Sequence, residues 1–264
     1  MKKILPILLL VCLASLPAAG EPEGRSADTV AVDMDVIGGP DTLKARISGL
    51  IRLGFERLER DDPESARKSF EAALSLDPGN VRAQVGLGRS YLEHKPGRVG
   101  IFELIERLFN QDFLSRAISC LNRALELDPD SWEAHYWLGS AYMKKLGRDD
   151  LERALEHMEQ AYRLGGDKLQ VRFKMALLHK ALGDIQNAEQ ILFEINSEAA
   201  GRVDPLACLE LVKINTKRTD FREAHRYYWR GVGSISTREE FQAYFDDLAV
   251  IATEDEHQDF LSTP

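Results

Sequence analysis

The sequence predicts an all-α protein in which pairs of helices stack side by side into a solenoid. A short motif repeats, since the Leu-Gly pair at 53–54 returns 34 residues later at 87–88. An alanine, a large apolar residue and a second alanine recur at helical spacing, and a proline closes both copies. The two copies are Ala66, Phe70, Ala73 and Pro78, and then Ala117, Leu121, Ala124 and Pro129. Such a short period predicts helix pairs that bury their apolar faces only by stacking on their neighbours.

Residues 1–20 have the pattern of a secretory signal peptide. Lys2 and Lys3 precede an apolar run over residues 4–16, and small residues follow up to Gly20. The run is shorter than the roughly 20 residues that span a membrane. Val11 stands before Cys12 where a lipoprotein signal carries Gly, Ala or Ser, which disfavours a lipid anchor. We therefore expect export to the bacterial periplasm, with no direct membrane insertion after cleavage.

Residues 21–40 mix Glu, Pro, Gly, Asp and Ser, which predicts a flexible tether.

The composition of the chain excludes several other classes of protein. The 34 basic and 43 acidic residues give a net charge of −9, so we expect no nucleic-acid partner, which would need a basic surface. Cys120 and Cys208 lie in apolar helical patterns, and we interpret both as small buried side chains rather than a disulfide.

The second repeat carries an insertion over residues 94–112. Its Leu-Gly-x-x-Tyr motif at 87–91 returns 51 residues later at 138–142, one period of 34 plus 17 extra residues. Pro96-Gly97 ends the preceding helix, and the following residues predict a separate amphipathic helix. Its apolar face includes Phe102, Ile105 and Phe109. This helix could fold back onto the second and third units, or it could be a docking helix for a partner.

Three later units continue the pattern. They are Ala154/Met158/Ala161, Ala188/Leu192/Ile195 and Ala224/Tyr228/Gly231. With these motifs, residues 41–238 resemble the tetratricopeptide repeat family, although the last two units lack the closing proline and Gly231 replaces an alanine. The resemblance implies a right-handed α-solenoid of about five helix pairs.

The resemblance also implies a concave groove, lined by the first helix of each pair, that binds a peptide or a helix of a partner. Carried over to this sequence, the groove residues are Ile51, Phe55, Arg82, Val85, Arg89, Tyr136, Ser140, Phe173, Leu177, Lys180, Leu209 and Lys213. Aromatic side chains beside Arg and Lys suit a protein or peptide with apolar anchors and acidic flanks. The alternative, that these residues pack against an adjacent helix, remains open at this point.

Residues 239–264 predict a C-terminal capping helix and an acidic tail. Phe241, Tyr244, Phe245 and Leu248 share one side of a helix over 238–250, which could cover the last apolar face of the solenoid. Residues 248–253 and the acidic residues after them are similar to bacterial exported repeat proteins that continue into a GWxTD domain. The GWxTD motif itself is absent.

The sequence contains no motif that would indicate catalysis. The six histidines form no HExxH pair, and we find no CxxC, no G-x-S-x-G and no phosphate-binding glycine loop. We therefore expect no catalytic residues, no cofactor and no metal site. The predicted function is a non-catalytic protein–protein interaction scaffold in the bacterial cell envelope. The alternative is the accessory repeat half of an exported enzyme or enzyme complex whose catalysis lies elsewhere.

Overall fold

A computed structural model describes residues 40–94, 103–145, 147–166, 168–198 and 203–248. These residues form eleven α-helices and contain no β-strand. The predicted signal peptide and nearly all of the tether lie outside the described residues, as do the GWxTD-like residues after Leu248. The helices, in chain order, are α1 (Pro40–Glu59), α2 (Pro63–Leu76), α3 (Val81–Leu92), α4 (Glu103–Leu127), α5 (Trp132–Met143), α6 (Arg148–Arg163), α7 (Lys168–Leu182), α8 (Ile185–Glu198), α9 (Pro205–Lys217), α10 (Phe221–Val232) and α11 (Arg238–Leu248).

The first ten helices form five consecutive pairs, from α1/α2 to α9/α10. Each of these helices packs against the next one in the chain. Among the first helices of the pairs, α1 also contacts α3, and α3 contacts α5. The predicted all-α solenoid of five helix pairs is therefore confirmed.

Small residues on the first helix of a pair let the second helix approach closely. Phe70 of α2 is fully buried between Gly54 of α1 and Gly86 of α3. A Cβ atom added to Gly54 would lie 2.6 Å from the Phe70 ring, and one added to Gly86 would lie closer still. A Cβ atom added to Gly88 of α3 would likewise lie 2.7 Å from Cγ of Leu121. The repeated Leu-Gly motif thus encodes the close contact between helices.

Polar side chains at several helix starts accept hydrogen bonds from exposed backbone N–H groups. The side chain before the helix accepts from the backbone nitrogen three residues later, which satisfies a donor that the helix itself leaves open. This arrangement occurs at Asp62, Asn80, Ser131, Asp204 and Asp220.

The insertion differs from the prediction. We expected a separate extra helix, but residues 103–112 are the N-terminal turns of α4, which continues unbroken over 25 residues to Leu127. The physical reason is that no proline or glycine lies between residues 103 and 127 to end the helix. Phe102 and the side chains of Ile105 and Phe109 lie outside the described residues, so the choice between packing and docking stays a prediction.

An aromatic contact joins the first residue of the insertion to the residue that follows the insertion. Phe113 of α4 stacks on His94 with ring centres 4.1 Å apart. The guanidinium of Arg67 lies 5.0 Å from the ring centres of both Phe113 and Tyr91, so it joins α2, α3 and α4. Burial among these groups lowers the pKa of His94.

The C-terminal helix α11 covers part of the last repeat. Tyr244 is buried, and its hydroxyl donates a hydrogen bond of 2.8 Å to the backbone oxygen of Pro205. Phe241, which the sequence pattern places on the same side, is 46% exposed. The side chains of Phe245 and Leu248 lie outside the described part of the helix.

Both described cysteines are free thiols. Cys208 is fully buried and Cys120 is half-buried, and burial raises the pKa of each thiol to about 11. The interpretation as a small buried side chain is confirmed for Cys208, whereas Cys120 is only partly buried.

Candidate functional site

A recess of about 550 Å³ lies between successive first helices of the repeats. We call it the aromatic recess. It is lined by Phe55 of α1, by Val81, Arg82, Val85 and Arg89 of α3, by Asp128, by Ser131, Trp132, Glu133, Tyr136 and Trp137 at and in α5, and by Gln170 of α7.

Two arginines of α3 lie over aromatic rings in this recess. The guanidinium of Arg82 is 5.2 Å from the ring centre of Phe55, and that of Arg89 is 5.0 Å from Trp137. Phe55 is itself fixed by an edge-on contact with the buried ring of Phe70, at 5.1 Å. Each arginine therefore presents its polar edge beside an apolar surface.

The two arginines differ in their electrostatic partners. Arg89 binds Glu93 at 2.8 Å and lies 4.0 Å from Glu59, so its charge is largely compensated. Arg82 is exposed and forms no ion pair within the described residues. Arg82 is thus the cation of the recess best placed to meet an external carboxylate.

Tyr136 belongs to both the recess and the core. Its side chain is only 9% exposed, and its hydroxyl donates to Oε1 of Gln170 at 3.4 Å. Lys174 lies 5.0 Å from the Tyr136 ring centre and donates to Oγ of Ser140. Burial lowers the pKa of Lys174, and the charge of Lys144 lowers it further. Tyr136 therefore forms part of the wall of the recess while most of its side chain is buried.

The remaining predicted groove residues lie towards the C-terminal repeats. Phe173 is half-buried and packs against the core formed by α7, α8 and α9. Leu177 is half-buried and Leu209 is buried. The structure therefore does not place these three side chains in the aromatic recess, which contains Phe55, Arg82, Val85, Arg89 and Tyr136 of the predicted set.

Lys180 and Lys213 line a second recess of about 450 Å³, which we call the lysine recess. Its floor is apolar, and basic side chains surround the opening. The lining residues are Lys180, Ala181, Ile185, Lys213, Ile214, Lys217 and Arg218. Residues of the one predicted groove thus line two recesses, and their role in binding stays a prediction.

Some lining residues were missed by the sequence reasoning. Trp132, Trp137 and Gln170 line the aromatic recess but were not among the predicted residues. Trp137 follows the predicted Tyr136 directly, so its type and position were available as a signal. Gln170 gave no signal, because its role depends on contact with the preceding repeat.

A histidine pair was also missed. Nδ1 of His135 and Nδ1 of His157 are 3.0 Å apart, although the residues are 22 positions apart in the chain. The His157 ring stacks on Tyr142, and burial, followed by the proximity of His135, lowers the pKa of His157 to about 4.

Two kinds of feature are absent from the described part of the chain. Within it, no group of three or more His, Cys, Asp or Glu side chains is arranged to hold a metal ion. Within the same residues, no helix is both long enough and apolar enough to cross a membrane.

The stacked helix pairs and the recesses between their first helices define a helical-repeat protein. Comparison with family sequence models identifies the repeat, because residues 52–97 match a model described as tetratricopeptide repeat and residues 108–145 match a second, described as TPR repeat. The chain is therefore a tetratricopeptide repeat protein, and in that general sense a scaffold for protein–protein interaction. No curated protein matches the sequence.

Solved structures share the fold at low sequence identity. TTC0263, a thermophilic TPR protein of Thermus thermophilus, is 17% identical with a TM-score of 0.58, over 78% of this chain and all of TTC0263. MamA is 22% identical with a TM-score of 0.51, over 72% of this chain and 96% of MamA. YrrB, described as a TPR protein with an unusual peptide-binding site, is 15% identical with a TM-score of 0.50, over 76% of this chain and 92% of YrrB.

Proposed function

We propose that this protein is a non-catalytic scaffold of the bacterial cell envelope that binds a peptide or a helix of a partner protein in the aromatic recess. The observation that carries the proposal is the pair of arginines stacked on aromatic rings between successive first helices. The description of YrrB as having a peptide-binding site supports a peptide ligand for a fold of this kind.

The recess favours a partner with an apolar anchor next to an acidic residue. Trp132 and Trp137 are half-buried and offer ring surface to an apolar side chain. Arg82 lies on the opposite, α3 side of the recess and offers a guanidinium to a carboxylate. Asp128 and Glu133 lie at the start of α5, so an acidic residue should prefer the α3 side.

The envelope location rests on the sequence of residues 1–20. A basic start, a short apolar run and small residues before a polar segment are the features of an exported chain. Fractionation of producing cells tests this part separately. Mature protein that begins near Glu21 and is released with the periplasm would support export, and full-length protein in the cytoplasm would contradict it.

The binding proposal predicts a specific effect of reversing the charge at Arg82. A peptide library would be selected against the wild-type protein, and the selected peptides would then be measured against Arg82→Glu. We expect enrichment of an acidic residue beside an aromatic or aliphatic one, with binding at least about tenfold weaker to the variant, since one charged hydrogen bond is replaced by repulsion.

Arg123→Glu is the matched control. Arg123 is an exposed arginine of α4, the second helix of its pair, and it binds Glu126 at 2.8 Å. This variant should bind the selected peptides as the wild type does. If Arg82→Glu and Arg123→Glu weaken binding equally, the effect is one of net charge and the aromatic recess is not the binding site. Tyr136 is unsuitable as a probe, because truncation of this buried ring would leave a cavity.

A further inference from the structure

The lysine recess combines four basic side chains with an apolar floor. Two of its cations, Lys180 and Lys213, both bind the carboxylate of Glu210, which is largely buried. Arg218 binds Glu189 at 2.6 Å. Lys217 is exposed and forms no ion pair among the described residues. Two described carboxylates, those of Glu210 and Glu189, thus contact three of the four basic side chains, while Ala181, Ile185 and Ile214 provide apolar surface.

The sequence of this chain contains a segment of complementary chemistry. Residues 254–261 read Glu-Asp-Glu-His-Gln-Asp-Phe-Leu, so four carboxylates precede two large apolar side chains. This segment follows the described part of the chain and begins six residues after Leu248. Its carboxylates match the basic rim of the recess, and Phe260 or Leu261 matches the apolar floor.

The chain that follows Tyr244 is long enough for this segment to reach the recess. The hydroxyl of Tyr244 binds the backbone of Pro205, so α11 is fixed at the start of α9. The recess lies at the other end of α9, around Lys213 and Lys217. A helix of this length measures about 20 Å. The roughly ten residues between Tyr244 and Glu254 span this distance even when only part of them is extended.

We propose that residues 254–261 bind in the lysine recess of the same chain, with their carboxylates at Lys217 and an apolar side chain on Ile214. This inference does not depend on the peptide proposed for the aromatic recess, because the two sites share no lining residue. In this arrangement the acidic segment covers the C-terminal part of the predicted groove. An external acidic partner would then have to displace it, or bind at the aromatic recess instead.

Zero-length carbodiimide crosslinking of the complete protein tests the proposal. This reagent joins a lysine amine to a carboxylate only when the two are in contact, and mass spectrometry identifies the joined peptides. We expect Lys217 to be joined to Glu254, Asp255, Glu256 or Asp259, with a yield that falls in about 1 M salt because salt screens exposed charges. Lys145 and Asp150, 3.3 Å apart, provide an internal positive control.

Two further comparisons make the result decisive. Lys68 is a comparably exposed lysine on α2, with a side chain 72% exposed, and should give no product with residues 254–259. The variant Lys217→Glu should lose the product. Combining it with lysine at positions 254–256 should restore a product, in which the carboxylate at position 217 is joined to an amine at positions 254–256. Restoration of this kind does not depend on the stability of either single variant.

The proposal is overturned by three results. If the internal control forms and no product with residues 254–259 is found, the segment does not occupy the recess. If Lys68 and Lys217 react equally, contact is random. If a mixture of unlabelled and ¹⁵N-labelled protein yields mainly mixed products, the occupant is the segment of a second copy rather than of the same chain.

Discussion

The contact between Gly231 and Tyr244 shows how one missing methyl group admits a neighbouring helix. A Cβ atom at position 231 would overlap the Tyr244 hydroxyl and lie 2.9 Å from Cβ of Cys208. The first three repeats carry an alanine at the corresponding position, so the glycine is the exception that accommodates α11. The last repeat departs from the repeat pattern because it contacts a capping helix and not another repeat.

We predict that Gly231→Ala destabilises the protein, by about 1–3 kcal/mol in the free energy of unfolding, because the added methyl group displaces Tyr244. Gly49→Ala is the control. Gly49 also lies inside a helix, α1, but nothing is within 4 Å of its Cβ position. This control should stabilise by about 0.5–1 kcal/mol through helix propensity. Urea unfolding measures both, and equal effects would contradict the packing argument.

At the residue scale, the sequence predicted the packing role of a residue best where only one kind of side chain can fill that role. Gly54, Phe70 and Ala66 were assigned correctly because close helix packing requires a small residue opposite a large one. The pairing of His135 with His157 could not be predicted, since either residue could equally have faced solvent. The same holds for Gln170, whose partner lies in the preceding repeat.

The helix α4 shows how the fold absorbs extra residues. Instead of forming a new element, the described part of the insertion lengthens the second helix of a pair at its N-terminal end. The sequence located the insertion because the repeat spacing changed from 34 to 51. It did not give the element boundary, because an amphipathic helix and the start of a longer helix have the same local pattern.

We predict that Asp112→Pro separates the extension of α4 from the repeat. Proline removes the backbone donor at position 112 and collides with the preceding turn, at a local cost of about 3 kcal/mol. Hydrogen exchange should show faster exchange for amides 105–111, while amides 117–127 remain protected by the packing of Ala117 and Leu121. Asp112→Ala, which only removes the ion pair with Arg116, should leave both regions protected. Loss of protection across all of α4 would mean that the extension and the repeat form one cooperative unit.

At the scale of the whole molecule, the stability of the stack depends on contacts between neighbouring pairs. Each helix packs mainly on the next one in the chain, so a local change affects one pair and its two neighbours. The His135–His157 contact lies in the third of five pairs, so its protonation state affects the middle of the stack.

We predict that the free energy of unfolding falls as the pH is lowered from about 6.5 to about 4. The pKa of His157 is about 4 in the folded protein and 6.5 when unfolded. Between these values the unfolded chain binds more protons, so acid favours unfolding. We expect a loss of about 1–2 kcal/mol, less than the full shift implies because the ring is only partly buried.

Urea unfolding of the wild type and of His157→Gln at several pH values measures this effect. The variant should be less stable at neutral pH, because it loses the contact with His135, but should show a flatter pH dependence. If the two proteins lose stability in parallel over this range, carboxylates rather than His157 determine the acid sensitivity.

The positions of the tryptophans also give the protein a built-in optical reporter. Of its three indoles, Trp132 and Trp137 line the aromatic recess, and Trp229 is 59% exposed on α10. Substituting Trp229 with phenylalanine would leave an emission spectrum that originates only at the recess. A change in the wavelength or intensity of that emission would then register occupancy directly, without a label on either the protein or its ligand.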